Sequence, residues 1–146
     1  MKTTVNLAVL ALVIERPSYG YELSKRLGER FGELLAVSRS HVYGALDALQ
    51  RGGLIEPLPQ PRAEEQARQP KVHYRATAAG ERALSEWVLA ELDEHARRAR
   101  LLGAIAALAG GDGGDGAAPG EEAISALLAD YERAWARFAP APGDRG

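Results

Sequence analysis

The segment "SRSHVYGALDALQRGGLIEPL", residues 38–58, decides the fold. Read as a helix, it places three aliphatic residues on one side and polar or small residues on the other. Ser38 is a favoured N-cap, and the pair Gly52–Gly53 ends the helix before the strand-like stretch "LIEPL". We therefore predict a short helix with one buried side, followed by a strand. The buried side consists of Val42, Leu46 and Leu49.

Two further helices are predicted upstream of this segment. The first covers residues 3–15 and is apolar nearly all round, which predicts burial on several sides, and Pro17 ends it. The second begins with Ser18 as N-cap and is closed by Gly32. Gly20 has no side chain, so another helix could approach closely there. The basic residues of the second helix are expected in solvent: Lys25, Arg26 and Arg30.

Two short strands are predicted downstream, "LIEPL" at 54–58 and "VHYRA" at 72–76. A polar, proline-bearing loop at 59–71 joins them. Pro57 lacks an N–H donor, so the first strand should pair on one side only. Three helices followed by a hairpin is the order of a winged helix-turn-helix, in which the third helix enters the major groove of DNA. The fold class is therefore mainly α with a small β-hairpin wing.

The rest of the chain is predicted to be helical. Thr77 caps a long helical region that reaches residue 108, although the charged stretch "EHARRAR" leaves open whether this helix breaks near 94–98. A last helix covers about 121–138. Residues 110–120 contain six glycines and form a predicted linker. We expect three parts: a winged-helix domain at 1–76, a helical dimerisation and effector region at 77–139, and a flexible tail at 140–146.

Composition limits the functional classes. The net charge is −2, but residues 1–76 carry +3 and residues 77–146 carry −5, as expected when one half faces phosphates. There is no cysteine, which suits a cytoplasmic protein, and the three histidines lack metal-ligand spacing. The apolar stretch 5–14 is too short for a membrane span. No enzyme motif is present, so we expect neither catalysis, nor a cofactor, nor a metal.

The exposed side of the helix at 38–51 carries the candidate DNA contacts. A helix N-terminus favours phosphate, and arginine there can also bind guanine in the major groove. The wing loop would lie over phosphates or a minor groove. The candidates are Lys25, Arg39, Ser40, His41, Tyr43, Gly44, Arg51, Arg62, Arg68 and Lys71.

Plainer interpretations of the same residues stay open. A helix with one polar side is often only a solvated surface helix. Tyr43 could pack partly in the core, and His41 is better explained as a solvated or capping residue than as a switch. Asp47 points toward the exposed side, and Glu64 and Glu65 oppose the basic residues of the wing.

Three segments of the chain resemble the PadR family of bacterial transcriptional regulators. They are "YGYEL" at 19–23, "SRSHVYGALDALQRGGLI" at 38–55 and "YRATAAGERALSEW" at 74–87. The departures are a wing that is longer and richer in proline than usual, the missing Gly-Arg/Lys wing tip, and the glycine-rich insert at 110–120.

The resemblance implies a homodimer that binds a palindrome-like operator in double-stranded DNA and represses transcription. It also implies a small aromatic or phenolic effector near the dimer interface. For the aromatic residues, core or dimer packing is the preferred interpretation over effector contact. The alternative function is a winged-helix module for protein–protein interaction that does not bind DNA. The candidate effector or dimer residues are Leu84, Trp87, Val88, Leu92, Tyr131, Trp135 and Phe138.

Overall fold

The structure is a computed structural model that describes residues 3–59, 71–109 and 121–138. Five helices and two strands lie in these ranges, and they group into two compact units, Met1–Leu84 and Ser85–Gly146. The predicted wing loop with Arg62 and Arg68, the linker 110–120 and the tail 140–146 lie outside the described residues. The elements are α1 (Thr4–Glu15), α2 (Gly20–Phe31), α3 (Arg39–Arg51), β1 (Ile55–Pro57), β2 (Tyr74–Ala76), α4 (Ala78–Ala109) and α5 (Glu121–Phe138).

Helix α1 is the centre of the first unit. Thr3 caps it by accepting a hydrogen bond from the Asn6 N–H, and its aliphatic residues are buried around most of its circumference. Helices α2 and α3 and strand β2 all pack against it. The prediction of burial on several sides is confirmed, because helical neighbours surround this helix. The buried residues of α1 are Leu7, Val9, Leu10, Leu12 and Val13.

Helix α3 begins and ends where the sequence predicts. Ser38 is its N-cap, and the first turn closes reciprocally because the Ser38 N–H donates to Nδ1 of His41. At the other end, Gly53 adopts φ +70°, a left-handed conformation that favours glycine. The predicted buried side is confirmed by the near-complete burial of Val42, Leu46 and Leu49.

The hairpin of β1 and β2 is antiparallel, with Ile55 opposite Ala76 and Pro57 opposite Tyr74. In the described part of the chain, β1 pairs with β2 alone, as its proline predicts. The first turn of α4 packs on the hairpin at Gly80, where an added Cβ would overlap the Leu54 carbonyl oxygen. This contact fixes the start of α4 against the base of the wing, and the predicted fold class is confirmed.

Ser18 is not the N-cap of α2, contrary to the sequence-based prediction. Tyr19 occupies that position, and its side chain makes no capping hydrogen bond. Ser18 is fully buried and pairs with Tyr74 of β2: each residue's N–H donates to the other's carbonyl, at 3.2 and 2.9 Å. The turn between α1 and α2 is thus tied to the hairpin, a partner 56 positions away that local sequence rules do not reveal.

The prediction that Arg26 lies in solvent is also wrong. Its side chain is only 6% exposed, and Nη1 donates to Oγ of Ser18 at 2.6 Å. Nη2 donates to the Leu12 carbonyl at 3.0 Å and to Oε2 of Glu15 at 2.7 Å. A buried cation is tolerated when each donor has an acceptor. We call Arg26, Glu15, Ser18 and Arg30, which also bonds Glu15 from the surface, the buried-arginine cluster.

The second unit contains the rest of α4 together with α5. Helix α4 is continuous through 94–98, so the break that the charged stretch left open does not occur. Pairs one turn apart support it there, including Arg97 with Asp93 at 2.7 Å. The predicted final helix at 121–138 is confirmed. No helix in the described residues is both long and apolar enough to cross a membrane.

Candidate nucleic-acid interface

The side of α3 opposite its leucines faces solvent. Arg39, Ser40, Tyr43 and Gly44 are all exposed, and an added Cβ on Gly44 would meet no atom within 4 Å. His41 is exposed but its Nδ1 is engaged by the cap at Ser38, which agrees with its interpretation as a capping residue. The first turn of α3 therefore presents its side chains outward, and none of the described residues lies over Gly44.

A surface cleft of about 700 Å³ lies beside this first turn. It is bounded by the start of α2, by α3 and by the chain that leads into β2. Four of the five tyrosines of the protein line it. We call it the tyrosine groove. Its lining residues are Tyr19, Gly20, Tyr21, Arg39, Tyr43, Leu46, Asp47, Gln50, Lys71, Val72 and Tyr74.

Gly20 gives the groove its close fit between α2 and α3. A Cβ at this position would lie 2.5 Å from Cε1 of Tyr43, so only glycine lets the tyrosine ring rest against α2. This is the close approach that the sequence predicts at Gly20. Tyr43 remains 55% exposed, because its ring covers the α2 backbone and its edge stays in solvent.

Two cations of the groove lie over tyrosine rings. The guanidinium carbon of Arg39 is 5.1 Å from the centre of the Tyr21 ring, and Nζ of Lys71 is 5.0 Å from that of Tyr19. Both distances are within the range of cation–π attraction. An aromatic ring holds a cation in place without neutralising its charge, so both groups stay available to an anion.

The other lysines and arginines that the structure describes in the first unit have partners. Within residues 3–59 and 71–84, neither Arg39 nor Lys71 forms an ion pair with a described carboxylate, and Arg82 has an interaction partner of its own. The single carboxylate that lines the groove, on Asp47, pairs with Arg51. The remaining pairs are Arg16–Glu22, Lys25–Glu29, Arg26–Glu15, Arg30–Glu15 and Arg75–Glu56. Among the described residues of this region, the two cations without an ion-pair partner therefore both line one cleft.

The structure brings together three of the predicted DNA-contact residues, Arg39, Tyr43 and Lys71, in the tyrosine groove. Ser40 and Gly44 lie on the exposed side of α3 beside the groove. Two other predicted contacts are exposed but ion-paired: Lys25 with Glu29, and Arg51 with Asp47.

Sequence reasoning missed Tyr19, Tyr21, Gln50 and Tyr74 as members of this site. Tyr19 lies at the N-cap, before the first turn of α2, so helical spacing does not show which way its ring points. A usable signal was present in composition: the tyrosines are few, and four of them fall within the first 74 residues.

The aromatic residues predicted for an effector or dimer site lie on the later helices. The rings of Tyr131 and Trp135 on α5 stack at 6.2 Å with an interplanar angle of 22°, and Trp135 is 51% exposed. Leu84 is buried at the end of the first unit, whereas Trp87, Val88, Leu92 and Phe138 are half-buried. Among the described residues there is no cluster of side chains suited to a metal ion.

Comparison with known proteins finds a matching family and several solved structures of similar fold. Residues 9–86 match the model of the family described as "Transcriptional regulator PadR-like family". No similar sequence was found among curated proteins.

Solved structures share the fold. One is described as a conserved protein of unknown function and potential transcriptional factor, and it matches 74% of this chain and 91% of its own at 28% identity and a TM-score of 0.56. A PadR-like regulator from Bacillus cereus matches 66% of this chain and 89% of its own, at 24% identity and a TM-score of 0.52. Bacillus subtilis PadR in complex with operator DNA matches 94% of both chains, at 15% identity and a TM-score of 0.52.

Proposed function

Because the chain belongs to the PadR-like family of transcriptional regulators, we propose that it binds operator DNA through the exposed side of α3 and the tyrosine groove. The observation that carries this proposal is a pair of cations, Arg39 and Lys71, that form no ion pair with any carboxylate in residues 3–59 and 71–84 and that lie beside the exposed first turn of α3. Phosphate contacts by such cations supply much of the affinity of a protein for DNA. The shared fold with Bacillus subtilis PadR, seen with operator DNA, supports the same assignment.

We assign each contact residue a role in DNA binding according to the element on which it lies. Arg39, Ser40, Tyr43 and Gly44 lie on the leading part of α3 and are assigned to base edges and nearby phosphates in the major groove. Lys71 stands where the wing returns to β2 and is assigned to the DNA backbone. Lys25, His41, Arg51, Arg62 and Arg68 complete the proposed contact set as peripheral members.

We also propose a homodimer and a palindrome-like operator, with a winged-helix domain at 1–76 and a helical dimerisation region at 77–139. Four large aliphatic residues near the end of α4 are more than half exposed, and apolar surface of this kind usually meets a partner. A twofold dimer sets its two recognition helices about 34–36 Å apart on the DNA. The exposed residues are Leu101, Leu102, Ile105 and Leu108.

We further propose that the protein is a cytoplasmic, ligand-responsive repressor and not an enzyme. A protein–protein interaction module without DNA binding is the alternative, and the groove could equally receive an acidic peptide. The test below separates the two, since only the first model requires binding to a duplex.

The decisive experiment measures binding to a fluorescent duplex from the region upstream of the protein's own gene. Arg39→Ala should weaken binding about tenfold to a hundredfold, because one bidentate base contact contributes about 1–3 kcal/mol. Tyr43→Ala should also weaken it, and because its ring packs against α2 at Gly20 the midpoint of thermal unfolding should fall, so binding is measured at a temperature where both proteins are folded. Arg133→Ala on α5 is the matched control, since it removes an exposed arginine that pairs with Asp130.

Three outcomes would contradict the proposal. Parent-like affinity of the Arg39→Ala protein would show that α3 does not contact the duplex. Binding to no upstream fragment, with binding to an acidic peptide instead, would favour the interaction module. Light scattering that shows only monomer at micromolar concentration would rule out the proposed twofold dimer.

A further inference from the structure

We infer that Tyr21, which is not in the proposed contact set, is a positioning residue: its ring restrains the guanidinium of Arg39 and so raises the selectivity of Arg39 for one base pair of the operator. The restraint is a property of the free protein. Its effect on DNA recognition rests on the proposed function, in which Arg39 reads a base edge, and the experiments below keep the two apart.

Arg39 is a side chain that needs support from another element. It is the exposed first residue of α3, and among the described residues it forms neither an ion pair nor a hydrogen bond. A long arginine without support samples many rotamers, and the loss of that freedom weakens every contact that it makes. Its guanidinium carbon lies 5.1 Å from the centre of the Tyr21 ring, within the range of cation–π attraction. The ring therefore narrows the positions open to the guanidinium before DNA binds.

The ring of Tyr21 stands on an anchored part of the chain. Tyr21 is the second residue of α2 and follows Gly20, whose backbone is covered by the ring of Tyr43. Three residues before Tyr21, the buried Ser18 exchanges backbone hydrogen bonds with Tyr74 of β2. The start of α2 thus contacts both α3 and the hairpin, which gives the ring a defined position from which to restrain a cation.

An aromatic ring suits this role better than a carboxylate does. Guanine O6 and N7 accept two N–H groups of an arginine side by side. A carboxylate accepts the same two N–H groups and would compete with the base, whereas an aromatic ring attracts the cation without replacing those acceptors. Arg39 is therefore restrained and still free to donate. A restrained side chain favours one base edge over acceptors that it must move to reach.

Tyr21 is also 52% exposed, so a direct contact between its hydroxyl and the DNA is the competing explanation. The two roles predict different results. A ring that acts through Arg39 contributes only while Arg39 is present, and phenylalanine can replace it because its ring also attracts cations. A contact through the hydroxyl would be lost in Tyr21→Phe and would persist without Arg39.

The first experiment examines the free, full-length protein by NMR relaxation of arginine side chains. The order parameter of the Arg39 Nε–H bond should be high in the parent and in Tyr21→Phe, and it should fall in Tyr21→Leu. The Nε–H bond of Arg133, which pairs with Asp130 on α5, is the internal reference and should not change. An Arg39 order parameter that is equal in all three proteins would overturn the restraint, whatever the protein does with DNA.

The second experiment measures fluorescence anisotropy on the operator duplex and on copies with one base pair changed. The base pair read by Arg39 is the one whose change weakens the parent and leaves Arg39→Ala unaffected. At that position, Tyr21→Leu should lower the ratio of the two affinities about threefold to tenfold, the cost of ordering one side chain on binding. Tyr21→Phe should stay within about twofold of the parent, since it keeps the ring. The salt slope of Tyr21→Leu should equal that of the parent, because no charge is removed.

A double-mutant cycle separates positioning from direct contact. In the Arg39→Ala background, Tyr21→Leu should change operator affinity by less than about twofold, because a positioning residue acts only through its partner. An equal loss in both backgrounds would show that Tyr21 contacts DNA itself and would overturn the inference. Parent-like selectivity of Tyr21→Leu, with selectivity lost in Arg39→Ala, would overturn it as well. Failure of the proposed function would look different, since Arg39→Ala would then bind like the parent or no duplex would bind, and the effect on selectivity would fall with it.

Discussion

The buried-arginine cluster lies on α1, α2 and the turn between them, and the tyrosine groove lies on the start of α2, on α3 and on the chain into β2. Each region contains an arginine, and the two arginines act in opposite ways. Arg26 is 6% exposed, and all of its recorded bonds go to oxygen atoms of α1, of the following turn and of Glu15. Arg39 is exposed and rests on the Tyr21 ring. The charge of Arg26 is paired with Glu15 within the fold, whereas Arg39 pairs with no carboxylate among the described residues.

The difference between the two regions shows what decides the role of a cation. A carboxylate together with neutral oxygen acceptors pairs the charge and makes the arginine part of the core, whereas an aromatic ring orients the side chain and leaves its charge available. Counting basic residues therefore overstates the binding surface of this protein. Six of the arginines and lysines described in residues 3–59 and 71–84 are paired with carboxylates, and two are supported by tyrosines.

The largest expected effect concerns Arg26, the arginine of the buried-arginine cluster. Arg26→Ala should lower the free energy of unfolding by about 2–4 kcal/mol, because Oγ of the buried Ser18 loses its arginine donor and the Leu12 carbonyl keeps only the Arg16 N–H. Arg30→Ala is the matched control: it removes an exposed partner of the same Glu15 and should cost no more than about 1 kcal/mol. Urea unfolding followed by circular dichroism measures both.

Equal losses of unfolding free energy for Arg26→Ala and Arg30→Ala would contradict this prediction, because burial would then not distinguish the two arginines. A second readout is operator affinity of the folded fraction. At low temperature, the operator affinity of folded Arg26→Ala protein should equal that of the parent, because Arg26 forms no hydrogen bond to a residue of the tyrosine groove.

A smaller effect concerns Lys71, one of the two cations of the tyrosine groove. Lys71→Gln should weaken operator binding about threefold to tenfold and reduce the slope of log K against log salt by about 1, the signature of one lost phosphate contact. Its unfolding free energy should change by less than about 0.5 kcal/mol, as for most surface substitutions. Arg75→Gln should leave the salt slope nearer to that of the parent, since Glu56 already neutralises Arg75. The measurement is fluorescence anisotropy across a salt series, and an unchanged slope for Lys71→Gln would remove the wing base from the interface.

The sequence predicted the local elements of the first unit well, because their signals are local. Ser38 as N-cap, Gly53 as the left-handed stop and the leucine spacing of α3 all lie within one helix and its ends. The wrong predictions at Ser18 and Arg26 have one cause, which is that their partners are distant along the chain. Ser18 is satisfied by the backbone of Tyr74 rather than by the first turn of α2, and a local rule for capping cannot see that contact.

The candidate site was predictable only in part for the same reason. The exposed side of α3 follows from helical periodicity, so Arg39, Ser40 and Tyr43 could be named. The tyrosine groove requires the start of α2 and the strand β2 to come together, which no period in the sequence encodes. The sequence does not show whether α4 is continuous through 94–98, because a stretch that is charged all round lacks an apolar stripe. Ion pairs one turn apart, such as Arg97 with Asp93, supply support that a hydrophobic pattern does not record.

The smallest effect concerns Glu15, where the buried-arginine cluster meets solvent. The hydrogen bond from Arg26, followed by that from Arg30, lowers the pKa of this carboxyl below its ordinary value. A carboxyl with a lowered folded pKa stabilises the protein fully above its unfolded pKa, and the contribution disappears as the pH falls through the folded pKa. Glu15→Gln should therefore melt earlier than the parent at pH 7, and the difference should shrink from about pH 4.3 downward. Differential scanning calorimetry of both proteins across this range isolates Glu15, because the other carboxyls titrate in both. A gap in melting temperature that stays constant down to pH 3 would mean that the charge of Glu15 contributes nothing. The short contacts to Arg26 and Arg30 would then matter only through geometry, and a neutral amide would serve the buried arginine as well as a carboxylate does.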